Sequence, residues 1–108
     1  MPSASNGAPI NVPAHDNSAM DGYAFRGADL VAGATTTLTP LGPTIFAGAT
    51  FDQRLASGEC VRIMTGAVMP QGLDTVVPQD FTRVEADGRV RIPAGVVRTG
   101  DNRRLKGE

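Results

Sequence analysis

Three stretches of the chain are richer in polar and charged side chains than a structural scaffold requires. The first is Asp16-Asn17-Ser18-Ala19-Met20-Asp21-Gly22-Tyr23-Ala24. Its two carboxylates stand five residues apart, with an amide and a hydroxyl between them. Such a set can hold a cation or orient water, and it can equally do no more than cap turns. A calcium loop is excluded, because Met20 occupies a required ligand position and no glutamate follows at the right distance. Asp21-Gly22 also reads as an ordinary turn pair. The second stretch is Met64-Thr65-Gly66-Ala67-Val68-Met69-Pro70. Thr65 and Gly66 at a strand end can offer a hydroxyl and a backbone N–H to an oxyanion. No Gly-Lys-Ser/Thr follows, so this is not a Walker loop. The third stretch is residues 98–108, in which four of eleven residues are basic: Arg98, Arg103, Arg104 and Lys106. Arginine binds phosphate in a bidentate manner, but a solvated terminal charge cluster has the same composition.

The other reactive side chains carry less. Cys60 is the single cysteine and lies within an apolar alternation, which suits a small buried residue rather than a nucleophile. His15 is the single histidine and is expected in a loop beside a turn. One Cys and one His cannot make a self-contained zinc site of those ligands. A net charge of −1 provides no broad basic field for nucleic acid. The bulky apolar runs are two or three residues long, whereas a membrane helix needs about 20. The N-terminus lacks the basic and apolar regions of a signal peptide. No nucleic-acid or membrane partner is expected, and the cytoplasm is the expected location.

The elements that must position these stretches are short. Thirteen glycines and eight prolines in 108 residues punctuate the chain too often for long helices. Val, Ile and Thr between them favour strands. Strands are expected around Tyr23–Arg26, Thr35–Leu41, Glu59–Met64 and Thr75–Val77, with a short piece at Ile45-Phe46. A single helical turn is expected over residues 52–56, and a turn at Pro70-Gln71-Gly72 with Pro suited to its second position. Residues 81–92 read as a hairpin. A two-residue Asp87-Gly88 turn would mix polar and apolar faces. A three-residue loop, Ala86-Asp87-Gly88, instead pairs Val84 with Val90, Glu85 with Arg89 and Arg83 with Arg91. The fold class is therefore all-β, a distorted barrel or sandwich of short strands with little helix. Residues 1–9 are read as a flexible leader and 10–108 as one β domain.

In order along the chain, these stretches resemble the molybdopterin molybdenumtransferase family, known as MoeA in bacteria and as the E domain of gephyrin in animals. The resemblance lies in Val12-Pro13 with Asp16–Ala24, in Val61-Arg62-Ile63-Met64-Thr65-Gly66-Ala67, and in Pro70, Gly72, Asp74 and Val76-Val77. The tail adds Arg98, Gly100, Asn102 and Gly107-Glu108, although Arg103 stands where the family usually has an apolar residue. The resemblance implies a fragment of a longer multidomain enzyme, the small β domain of a homodimeric parent. That parent would insert molybdate into adenylylated molybdopterin, forming molybdenum cofactor and releasing AMP, with Mg2+ involved. It further implies catalytic roles for Asp21 and Thr65, ligand contacts from Ser18, Gly66 and Arg104, and a metal contact from Asp21. The isolated domain is expected to be inactive. The competing reading is a non-catalytic β module for interaction or scaffolding, for which gephyrin's receptor clustering is the precedent.

Overall fold

The computed structural model describes residues 16–49, 51 and 53–105. The expected leader and His15 lie outside these residues. The described chain is all-β, with eight short strands and two single-turn 3-10 segments, at Gly27–Asp29 and Gln79–Phe81. The strands are β1 (Asn17–Ser18), β2 (Gly22–Phe25), β3 (Thr36–Pro40), β4 (Glu59–Ile63), β5 (Thr75–Pro78), β6 (Arg83–Val84), β7 (Val90–Ile92) and β8 (Arg103–Arg104). Six of them form one curled sheet in the order β5-β2-β4-β3-β7-β6, a half-barrel, and β1 pairs with β8 separately.

The curl comes from β3, which changes partner midway. Residues 36–38 pair antiparallel with β7, while Thr39 and Pro40 pair parallel with β4. Pro40 is therefore the last residue of the strand. A proline has no N–H to give a ladder, so it is tolerated where one pairing ends.

Alternation along the central strands serves two cores. Ala24, Val61, Ile63 and Val76 face a cluster closed by Ile45, Leu55, Ala67, Met69 and Leu73. Phe25, Cys60 and Val77 face the opposite cluster with Leu38, Val90, Ile92 and Val97. Registers agree with this division, because Ala24 pairs with both Val61 and Val76 while Phe25 pairs with Cys60. A fully buried Ile or Phe contributes about 1.5–3 kcal/mol by leaving water. Five members of the first cluster, Ile45, Leu55, Ala67, Met69 and Leu73, come from outside the named strands. This explains one departure from expectation. Residues 53–56 form no helical turn, and Leu55 is buried at 1% exposure in that core. Asp52, the first residue of the expected turn, lies outside the described residues.

The hairpin has the expected register: Arg83 pairs with Arg91 and Val84 with Val90. Glu85 N–H donates to the Arg89 carbonyl at 2.8 Å, Gly88 N–H donates to the Glu85 carbonyl at 2.8 Å, and Gly88 takes φ +91°. The turn after Met69 differs slightly from expectation. Leu73 N–H donates to the Pro70 carbonyl, so Pro70 holds the first turn position and Gly72, at φ +89°, the third. Ile45 forms an isolated bridge to Ile63 rather than a strand with Phe46. Among the described residues, no helix is long and apolar enough to cross a membrane.

Candidate functional site

The first polar stretch is not the loop its composition suggests. Asn17 and Ser18 form β1, with Asn17 opposite Arg104 and Ser18 opposite Arg103. Asn17 also bridges Val68 on its other side. The three stretches therefore lie side by side, joined mainly through backbone. Gly66 N–H donates to the Ser18 carbonyl at 2.8 Å, Ser18 N–H to the Ala67 carbonyl at 2.9 Å, and Ala19 N–H to the Asn102 carbonyl at 2.9 Å. Arg103 lies 3.8 Å from an Asp16 carboxylate oxygen.

The tail is likewise no loose charge cluster. Val76 N–H donates to the Asp101 carbonyl at 3.0 Å, and the Asn102 side-chain amide donates to the Val76 carbonyl at 2.9 Å. These bonds cover the outer edge of β5, which would otherwise present unpaired backbone groups. Asn102 adopts φ +60°, the only positive φ at a non-glycine among the described residues, and Asn is a residue that tolerates it.

This framework fixes Asp21. Its Oδ1 accepts a hydrogen bond from Thr65 N–H at 2.8 Å and another from the Thr65 hydroxyl at 2.7 Å. The two residues are 44 positions apart in sequence. The Thr65 N–H bond, then the hydroxyl bond, and then the nearby Arg62 charge hold the Asp21 carboxyl below its ordinary 3.8. Charged acceptors are the form such bonds favour. Oδ2 takes part in neither bond. Asp21, Thr65 and Met20 line a shallow depression of about 270 Å³ with Pro78, Gln79 and Asp80.

Gly22 then has a specific reason to follow Asp21. It is no turn residue but the first residue of β2. A Cβ there would stand 2.0 Å from the Val77 carbonyl oxygen. The absence of a side chain is what lets β2 lie against β5 and brings Asp21 alongside Pro78 and Gln79.

The other expected site residues fall into two groups. Ser18 is fully buried. Its hydroxyl donates to the Met20 carbonyl at 2.5 Å and accepts the Met20 N–H at 3.2 Å, so it shapes the chain leading to Asp21. Gly66 stands beside Thr65 at φ +86°, with its N–H already given to Ser18. Both therefore stabilise the site from behind. Arg104 is exposed on β8 and is not among the residues lining the depression.

Arg62 and Gln79 are neighbours that the sequence reading did not single out. Gln79 N–H donates to the Asp21 carbonyl at 3.1 Å. Arg62 donates to the Gln79 side-chain oxygen and lies 5.5 Å above the Tyr23 ring. The signal for Arg62 was a charge in an apolar strand. Gln79 offered none beyond following Pro78. Among the described residues, no group of three His, Cys, Asp or Glu could hold a metal ion by itself.

Fold and site together define a small all-β domain that presents, at Asp21, a polarised carboxylate at an open depression. The family model described as MoeA N-terminal region (domain I and II) matches residues 4–108. The chain belongs to this MoeA family. It is 48% identical over 82 residues to the molybdopterin molybdenumtransferase of Haemophilus influenzae, covering 76% of this chain and 20% of that protein. It is 36% identical over 107 residues to the Bacillus subtilis molybdopterin molybdenumtransferase, covering 91% of this chain and 24% of that one. A crystal structure of the molybdopterin biosynthesis MoeA protein from Pyrococcus horikoshii superposes with a TM-score of 0.77 at 30% identity, over 93% of this chain and 26% of the other. The chain thus spans about a fifth to a quarter of the length of these relatives.

Proposed function

We propose that the chain works as part of a longer molybdopterin molybdenumtransferase, which inserts molybdate into adenylylated molybdopterin, forms molybdenum cofactor and releases AMP. One observation carries this reading. Asp21 is held as a carboxylate by Thr65 from a distant part of the chain, at an open depression. The relatives' names, molybdopterin molybdenumtransferase, support transfer of molybdenum to molybdopterin; the adenylylated substrate and the release of AMP are part of this proposal.

The chemistry of Asp21 follows from its surroundings. A general base works best with a pKa near the operating pH. Asp21 is pushed the other way, so it acts through its charge: Oδ2 holds a cation or orients a water molecule against the substrate. A bound magnesium ion would take Asp21 as one ligand and the substrate's phosphates and water as the others, neutralising charge on the adenylyl group. Thr65 positions the carboxylate, because both its donors are already committed to Asp21. Ser18 and Gly66 hold the two loops in register, and Arg104 lies on the tail side of the same framework for a more distant anionic group. The depression has walls on one side only, so other parts of the enzyme, and a second subunit of a homodimer, supply the rest. The 108-residue chain alone does not turn over.

The test is Thr65→Ala and Asp21→Ala in the complete enzyme. Both are expected to lower molybdate-dependent AMP release, with Asp21→Ala the more severe at about 10²-fold. Rates within twofold of wild type for both variants would remove the pair from the reaction. So would molybdate-dependent AMP release by the 108-residue chain alone.

A further inference from the structure

We infer an anion site, separate from the Asp21 depression, on the outer face of the β3-β7-β6 end of the sheet, built from Arg83, Arg91 and Thr35. It is independent of the Asp21 depression and shares no lining residue with it.

Register makes the case. Arg83 on β6 is directly opposite Arg91 on β7. Directly opposed residues on antiparallel strands have Cβ atoms about 4.5–5.5 Å apart on one face, and like charges there are destabilising. A basic residue on an edge strand discourages stray pairing, and Arg83 alone would satisfy that need. An acid at either position would give the same protection and pair with its neighbour. The chain instead places two guanidiniums together, in a protein whose net charge is −1.

The two cations are poorly neutralised. Arg83 forms no ion pair among the described residues, and Arg91 reaches only Glu85, at 3.7 Å. The third arginine of the hairpin, Arg89, is engaged with Asp87 at 2.8 Å and is unavailable. Glu85 and Asp87 lie toward the turn. On the other side of the arginine pair, Arg83 and Arg91 line a hollow of about 230 Å³ with Thr35 and Pro93. The Thr36–Ile92 register carries Thr35 alongside Pro93 at that end. The hollow is therefore lined by two arginines, a threonine and a proline, with no carboxylate in its lining. Arginine forks match tetrahedral oxyanions in a bidentate manner. The chemical class is a phosphate group, either free or as a phosphomonoester.

The experiment is an amide-shift titration of the 108-residue chain with inorganic phosphate, against sodium chloride at matched ionic strength. Saturable shifts at Thr35, Arg83 and Arg91 are expected with phosphate and not with chloride. Arg83→Gln and Arg91→Gln, both at exposed positions, are each expected to weaken the affinity at least tenfold. A parallel titration with AMP separates the sources. Tighter binding of AMP at the same amides assigns a phosphomonoester, and equal or weaker binding assigns free phosphate. The proposal is overturned if the shifts are absent, if chloride reproduces them, or if they persist unchanged in both variants.

Discussion

Asp21 and Asp87 are chemically alike and physically opposed. Each carboxyl is held below its ordinary range by a backbone N–H and a side-chain donor of a single partner residue, Thr65 for Asp21 and Arg89 for Asp87. For Asp87 that partner is two residues away, within the hairpin turn. For Asp21 it is 44 residues away and is brought close by the pairing of β2 with β4. Arg89 also carries a compensating charge, while Thr65 carries none. The same depression of a pKa therefore marks a self-contained turn in one region and, in the other, an anion fixed by tertiary structure whose nearby positive charge, Arg62, is the weakest of the influences that lower it. A perturbed carboxylate becomes a site candidate through what holds it and what it faces, more than through the shift itself.

The sharpest way to break this comparison is to add one methyl group in each region. Gly22→Ala drives a Cβ into the Val77 carbonyl, which is backbone and cannot swing aside. A loss of about 3 kcal/mol or more is expected. Gly88→Ala meets open space and only an unfavourable φ of +91°. There the expected loss is about 1 kcal/mol. Urea denaturation of the two variants checks the difference, and equal losses would mean that the Asp21 region depends no more on its packing than a surface turn does.

A smaller effect appears in acid. A carboxyl whose pKa is depressed by folding adds stability that is complete above its unfolded value and is lost as pH falls through the folded one. Both contributions should therefore be present at neutral pH, begin to fall near pH 3.8 and be lost as pH drops through the lower folded values. In a carbon-detected carboxyl titration, Thr65→Ala should raise the Asp21 pKa only part of the way to its ordinary value, because the Thr65 N–H bond survives. Arg89→Ala should do likewise for Asp87. Neither substitution should move the other residue's titration.

The same contrast explains how much of the molecule was legible in the sequence. The hairpin register could be read from Val84, Val90 and the position of Gly88, because its determinants lie within twelve residues. The all-β class followed from the glycine and proline spacing. Asp21 and Thr65 were each singled out, but their bond was not, since no local pattern encodes a contact across 44 residues. The tail read as a solvated cluster or an anion site because its charges dominate its composition. Its structural work is done by the Asp101 carbonyl and the Asn102 amide, both on Val76 of β5. Residues 53–56 had the composition of a helical turn, and the burial of Leu55 outweighed that weak propensity.

The most direct test replaces each carboxylate by its amide in the complete enzyme and measures molybdate-dependent AMP release. Asp21→Asn keeps an oxygen for Thr65, removes the charge and puts an NH2 donor in place of Oδ2, and it is expected to lower the rate by about 10²-fold while leaving the thermal midpoint close to wild type. Asp87→Asn should leave the rate within twofold. Equal rates for the two variants, both near wild type, would contradict the claim that the charge at Asp21 serves the reaction.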